Sequence, residues 1–252
     1  MNAVLPVYKN INELNEYLTP FPNIDEIFVE HQSWLKKHFL PLISIDLGML
    51  NNEWCGQVVH ILNPFEPYEG YIGECTKKHH NKFVSANWLS FRLTCDNKYE
   101  FLADERYFAR SLNTQPTDVF DNSIDDKDFD DVQTHIEESI EYYQFRQKRF
   151  YQTGKLLGVY PNDDDGAVVQ NWLDSMGGKL SENVKNWLSD WELPAAFVCQ
   201  WQDDEPVITY NDKAFYFIAG VPAYRYGCHG ADWITLLYEP VSQIVLFTYG
   251  YL

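Results

Sequence analysis

Acidic side chains outnumber basic ones by almost two to one in this chain, and the excess is concentrated in short segments. The 252 residues carry 37 Asp and Glu against 19 Lys and Arg, a formal charge of −18. Seven aspartates fall between Asp118 and Asp131, with Lys127 as the one base among them. Two shorter runs follow, Asp163-Asp164-Asp165 and Asp203-Asp204-Glu205. Because unpaired charge is costly to bury, these segments are predicted to be surface loops, turns or helix starts.

The composition predicts a folded protein and restricts its partners. Apolar residues make up 45% of the chain and aromatic residues 16%, whereas acidic disordered proteins are poor in these types. A surface this acidic repels phosphate backbones and anionic lipids and attracts cations or a basic protein. Nucleic acids and membrane surfaces are therefore excluded as expected partners.

The N-terminus and the cysteines favour a cytoplasmic protein. The first residues lack the basic start, apolar run and cleavage site of a secretory signal. No stretch approaches the roughly 18 apolar residues of a membrane span. The cysteines are odd in number and far apart, which predicts reduced thiols. They are Cys55, Cys75, Cys95, Cys199 and Cys228.

The apolar periodicity predicts an α+β fold with N-terminal helices over 11–18 and 24–39. A mixed or antiparallel sheet follows, then a long central helix from about Phe129 that has Ile136, Ile140 and Tyr143 on its apolar face. Two short helices are expected over 167–176 and 181–191. The segments predicted to be strands are 42–47, 57–62, 83–94 and 99–102, and then 196–201, 207–210, 214–219, 233–238 and 243–249.

The C-terminal strands are predicted to form an antiparallel β-meander whose last strand, containing Ile244–Phe247, is covered on both faces. A boundary near residue 120 would divide the chain into 1–120 and 121–252. A single domain over 1–252 remains the alternative.

Two constellations could support an enzyme. Cys55, Cys75, His79 and His80 are suitable zinc ligands, although their spacing matches no common zinc motif. Ordinary buried cysteines beside surface histidines are the favoured interpretation of this set.

The second constellation is Cys228 and His229, with Asp232 close behind, in a glycine-flanked turn that suits an exposed nucleophile. Adjacent Cys and His side chains rarely face each other, so a remote base such as His60 or His79 would be needed. An interstrand loop with an incidental thiol is the favoured interpretation. No nucleotide-binding or hydrolase motif is present, and no cofactor is predicted.

The favoured hypothesis is an acidic cytoplasmic interaction or inhibitor protein that captures a basic protein, such as a toxin. Bacterial immunity proteins have this general character, an analogy of composition without a matched motif. The alternative is a hydrolase that uses Cys228 or the Cys/His set, and mimicry of DNA by an ordered stripe of acids is a third possibility. The residues predicted to contact the partner are Asp118, Asp121, Asp125, Asp126, Asp163, Asp164, Asp165, Asp203, Asp204 and Glu205.

Overall fold

The protein is predominantly β-structure, which contradicts the predicted α+β class. A computed structural model describes residues 4–11, 13–66, 71–112, 126–159, 168–180, 184–185, 188 and 192–251, with side chains of the long helix from residue 134 onward. The described residues form fourteen strands in four sheets and one 28-residue helix, α1 (Asp126–Thr153). Short 3-10 helices make up most of the remaining helical structure.

The strands vary from two to eight residues in length. In chain order they are β1 (Leu18–Pro20), β2 (Phe39–Asp46), β3 (Val58–Pro64), β4 (Trp88–Leu93), β5 (Tyr99–Phe101), β6 (Leu157–Gly158), β7 (Val168–Val169), β8 (Ser175–Met176), β9 (Val198–Gln202), β10 (Glu205–Tyr210), β11 (Lys213–Ala214), β12 (Tyr216–Val221), β13 (Trp233–Glu239) and β14 (Ile244–Gly250).

The largest sheet is antiparallel and has the strand order β5-β4-β14-β13-β12-β8. β4 and β14 are neighbours, so segments from before and after residue 120 share this sheet. The other sheets have the orders β1-β2-β3, β11-β10-β9 and β6-β7.

β14 is buried along its whole length, as its continuous apolar sequence predicts. Val245 and Phe247 point into the larger hydrophobic core, while Ile244 and Leu246 point into a second core. This alternation follows from the two-residue period of a strand, and it explains why the four consecutive residues Ile244–Phe247 are all apolar. The prediction that the last strand is fully paired is confirmed, because β14 pairs with both β13 and β4.

The predicted C-terminal meander is divided between two sheets. β12, β13 and β14 join the large sheet, whereas β9, β10 and β11 form a separate three-stranded sheet. The second core fills the space between them and includes Trp88, Phe197 and Phe217. The β9–β11 sheet therefore packs through this core against one face of the large sheet.

The predicted N-terminal helices are wrong. The described part of 11–18 contains no helix, and 24–39 forms two 3-10 helices, Ile24–Glu26 and Glu30–Lys37, before β2 begins. The cause is long-range pairing with β5: the Tyr99 amide donates to Ile27 O, and the Val29 amide donates to Tyr99 O. Gln32 then exchanges two hydrogen bonds with the Phe101 backbone, at 3.0 and 2.7 Å. These contacts occupy backbone groups that an α-helix would use internally.

The predicted short helix over 167–176 is also wrong, while the long helix is confirmed. The described part of 167–176 contains β7 and β8, and Asp174 and Gly177 donate backbone hydrogen bonds to β12. The helix predicted over 181–191 lies mostly outside the described residues, of which Val184, Lys185 and Leu188 are helical. α1 packs through Ile136 and Tyr143, two residues of the predicted apolar stripe.

Candidate functional site

Most of the acids predicted to contact a partner lie outside the described residues. Asp118, Asp121 and Asp125 belong to this group, as do the three aspartates of 163–165. Asp126 begins α1, where side chains are described only from residue 134 onward. Asp203, Asp204 and Glu205 are described, and they lie together at the tip of the β9–β10 hairpin.

The β9–β10 hairpin closes through a two-residue turn formed by Asp203 and Asp204. Both residues have positive φ, 52° and 62°, and Gln202 pairs with Glu205 across the turn. Aspartate tolerates this left-handed conformation better than most residues, and turns of this kind match the twist of the strands. The sequence prediction of a turn at Asp203-Asp204 is confirmed.

Glu205 differs from its two neighbours because lysines already balance its charge. Its carboxylate accepts hydrogen bonds from Lys179 Nζ at 2.9 Å and from Lys185 Nζ at 3.1 Å. These contacts, led by the hydrogen bond from Lys179, lower the pKa of Glu205. Asp203 and Asp204 are exposed and form no ion pair within the described ranges. The hairpin tip therefore presents two unbalanced carboxylates.

An exposed tryptophan lies on the same hairpin. Trp201 is the penultimate residue of β9 and is 52% exposed, and Val198 on the same strand is also exposed. Sequence reasoning did not select either residue. The available signal was the position of Trp201 two residues before the Asp-Asp turn, but tryptophan is equally typical of a core. The hairpin thus combines an aromatic surface with negative charge.

The environment of Cys228 does not favour a nucleophile. The residue is only 5% exposed, and burial raises the pKa of its thiol well above the ordinary value. Gly227 has a φ of +80°, and a Cβ there would approach Tyr142 O of α1 to 2.7 Å. The glycine is needed for this close approach of the loop to the helix. The turn therefore serves packing against α1.

The neighbours of Cys228 do not complete a catalytic arrangement. The imidazole of His229 stacks with Tyr142 and lies 4.5 Å, centroid to centroid, from the His135 ring. Its backbone amide donates to Ser139 Oγ at 3.0 Å. Asp232 lies in the connection before β13. The loop residues thus contact α1, and none of the described contacts joins an imidazole to the thiol.

We expect Cys228 to resist thiol reagents in the native protein at neutral pH. The buried thiol rarely ionises, and only the thiolate attacks such reagents. Mass spectrometry after brief treatment with a maleimide should show modification of the exposed Cys55, Cys75 and Cys95 long before Cys228. The same reaction in denaturant, where all five thiols are accessible, is the control. Selective native labelling of Cys228 would contradict this expectation.

The four residues predicted as metal ligands do not form a cluster. Within the described ranges no group of three or more His, Cys, Asp or Glu side chains could hold a metal ion. Cys55 and Cys75 are exposed. His80 contacts Gly73 O through Nε2 at 2.8 Å and packs against the Tyr107 ring.

A hydroxyl–imidazole pair that sequence reasoning missed lies between β2 and β3. Ser44 Oγ is 2.7 Å from His60 Nδ1, and His60 Nε2 is 2.8 Å from Asn97 O. Since a carbonyl can only accept, Nε2 carries the proton and Nδ1 accepts from the Ser44 hydroxyl. Burial lowers the pKa of His60 to about 4, so the ring is neutral near pH 7. Both side chains are buried, and the pair connects two strands with the β4–β5 turn.

Glu66 and His38 form a second buried polar cluster. Glu66 Oε2 accepts from the Ala109 amide at 2.8 Å, while Glu66 Oε1 lies 3.7 Å from His38 Nδ1. His38 Nε2 lies 3.0 Å from Ser111 Oγ, and burial lowers the pKa of His38. These contacts connect the start of β2 to the loop at 105–111. The contacts thus hold that loop against the sheet.

Comparison with protein-family models, with curated proteins and with solved structures found no match. None of the described helices combines the length and apolar character that crossing a membrane requires.

Proposed function

We propose that this protein is an acidic interaction or inhibitor protein that captures a basic protein partner through a surface that includes the β9–β10 hairpin. The observation that carries the proposal is the half-exposed Trp201 beside two carboxylates that no described cation balances. An isolated exposed apolar residue needs no explanation, but an exposed tryptophan beside unpaired charge is typical of a contact surface.

The hairpin has the chemistry that recognises Lys or Arg side chains. The face of an indole ring attracts a cation, and a nearby carboxylate can form an ion pair with the same group. The formal charge of −18 adds long-range attraction, which accelerates the first encounter with a cationic protein. The contact with Trp201 thus contributes chiefly to affinity, whereas the negative charge, that of Asp203 and Asp204 included, also sets the association rate.

The biological setting that fits this chemistry is the inhibition of a basic toxin in the cytoplasm. The support is the acidic composition together with the exposed hairpin. The alternative, a hydrolase, gains no observation from the described residues: Cys228 is buried, and the Cys/His set forms no cluster. An ordered acidic stripe, which DNA mimicry would need, is likewise unsupported by the described acids.

We expect Trp201→Ala to weaken the captured complex by about 30-fold, as loss of an aromatic hot spot does. Asp203→Asn with Asp204→Asn should chiefly slow association, because it removes attraction before contact. The partner is recovered from native extract at low salt on the wild-type protein, and its kinetics with each variant are then measured by surface plasmon resonance.

Two matched controls lie elsewhere on the surface. Tyr224→Ala removes an exposed aromatic ring that is not part of the hairpin, and Asp212→Asn removes an exposed acid in the next turn. Both should leave the kinetics within about twofold of wild type, the range expected of surface positions that make no contact. The acidic segment at 118–126 is tested by changing Asp118, Asp121, Asp125 and Asp126 together to Asn, which should slow association. An association rate indifferent to ionic strength would contradict the proposal.

A further inference from the structure

We infer that the basic partner docks as an added β-strand along the open edge of β9, through an extended segment that carries Lys or Arg side chains. The inference depends on the proposed function and specifies how the hairpin would perform it. Strand addition gives affinity through main-chain hydrogen bonds and specificity through alternate side chains.

The register of the hairpin identifies the backbone groups that face outward. The two-residue turn makes Gln202 and Glu205 a hydrogen-bonded pair, so the next pair, Trp201 and Pro206, is not hydrogen-bonded. Pro206 lacks an amide hydrogen, which agrees with this assignment. Two residues further along, Cys199 and Ile208 form the next pair without mutual hydrogen bonds. The amides and carbonyls of Cys199 and Trp201 therefore point away from β10.

A hydrogen bond on the opposite side of β10 supports the same register. The Phe215 amide donates to Ile208 O at 2.9 Å, so this carbonyl faces β11 and not β9. In the part of the chain that the structure describes, the backbone groups of Cys199 and Trp201 have no hydrogen-bond partner. β9 lies at the end of the strand order β11-β10-β9. With respect to the described residues, its outer side is thus a row of unused donors and acceptors.

Among the residues that the structure describes, this edge lacks the features that normally prevent strand addition. Edge strands are usually protected by charged side chains, proline, a bulge or a covering segment. β9 has the sequence Val-Cys-Gln-Trp-Gln, without charge or proline, and its pairing with β10 runs without a register shift. The edge strand β5 is different, because the backbone at 27–29 and the side chain of Gln32 cover it. β9 is consequently available to an incoming strand.

Charge selects a basic segment as the occupant. Asp203 and Asp204 lie at one end of the open edge and are exposed. Cationic side chains on an added strand could reach these carboxylates and the indole of Trp201. A second copy of this chain fits less well, since each copy carries a formal charge of −18 and the copies repel.

The experiment compares two capped peptides of equal charge. One is Lys-Val-Lys-Val-Lys-Val-Lys, and the other has the same sequence with a backbone N-methyl group on every residue, so that neither edge of the peptide can donate a main-chain hydrogen bond. Fluorescence anisotropy of labelled peptide at low salt measures the Kd of each with the full-length protein. The amides of the first peptide can donate hydrogen bonds to the outward carbonyls of β9, and those of the N-methylated peptide cannot. We therefore expect the N-methylated peptide to bind at least ~10-fold more weakly.

A matched pair of protein variants tests the same edge from the other side. Cys199→Pro removes an outward amide, while Cys199→Ala removes the same thiol and keeps that amide. We expect Cys199→Pro to lose peptide binding and Cys199→Ala to retain it. If Cys199→Pro fails to fold, the two peptides still decide the question.

The outcomes separate this inference from the proposed function. Equal affinity for both peptides would overturn strand addition, and loss of that affinity in Asp203→Asn/Asp204→Asn would keep the electrostatic capture. Strand addition would also be overturned if the unmethylated peptide did not bind. The proposed function is tested separately, by the binding kinetics of Trp201→Ala with the protein partner. If the wild-type protein forms a dimer and Cys199→Pro is a monomer, the edge of β9 pairs with a second copy of this chain, and the inference of a basic partner strand is overturned.

Discussion

Removal of residues 243–252 is expected to abolish the cooperative folded state. These residues contain β14, which pairs with β13 on one side and β4 on the other near the middle of the six-stranded sheet. Without β14 the backbone groups of both neighbours lose their partners, and each unsatisfied buried group costs about 1–3 kcal/mol. The two hydrophobic cores also lose Leu246, Phe247 and their neighbours. The summed loss exceeds the about 5–15 kcal/mol by which a typical domain is stable.

A point substitution in β14 tests the same expectation more sharply. Leu246→Asp places a carboxylate in a fully buried site and should destabilise the protein by more than about 4 kcal/mol. Val241→Asp is the matched control, because Val241 is 68% exposed in the turn before β14. The soluble fraction after expression and the thermal melting transition are measured. A truncated protein that stays in solution and melts cooperatively would show that β14 is peripheral.

Lowering the pH from 7 to 4 is expected to reduce the free energy of unfolding by about 3 kcal/mol through His60 alone. Burial depresses the pKa of this histidine from 6.5 to about 4 in the folded protein. The unfolded chain therefore binds a proton that the folded protein does not bind between these two pH values. The contribution of the neutral His60 ring to stability is complete above pH 6.5 and is lost as the pH falls towards 4.

The comparison with His60→Gln isolates this effect from other titrating groups. The variant should be less stable at pH 7, because it disturbs the contacts with Ser44 and Asn97. Its stability should nevertheless fall less steeply with acid, since carboxylates and the other histidines titrate equally in both proteins. Urea unfolding at half-unit steps of pH supplies the two curves. Parallel curves would mean that His60 is protonated equally in both states.

Local sequence patterns determined the elements whose packing agrees with their periodicity. The apolar spacing of Ile136 and Tyr143 predicted α1, and the continuous apolar run in β14 predicted a strand buried on both faces. The turn at Asp203-Asp204 also followed from residue types, since few other residues adopt two consecutive left-handed conformations. In each case the local preference of the residues agrees with the packing that distant segments provide, as when β14 pairs with β4.

Patterns failed where distant backbone partners compete with local hydrogen bonds. The segment 24–39 has helical spacing, but Ile27 and Val29 bond to Tyr99, some seventy residues away. A helix would lose these bonds and the contact of Gln32 with Phe101. In the segment predicted as a helix over 167–176, pairing with β6 forms the strand β7 and pairing with β12 forms the strand β8.

The acidic character of this protein was fixed by its sequence, but the surface that could use it was decided by the tertiary structure. Asp203 and Asp204 could be predicted as an exposed turn from their residue types alone. Trp88 and Trp201 have the same side chain, yet Trp88 is fully buried and Trp201 is 52% exposed. The reason is that Trp88 lies in the core between the six-stranded sheet and the β9–β11 sheet, whereas Trp201 lies outside both cores on β9, at the end of its strand order. Strand order depends on pairing between distant segments, and no local pattern records it.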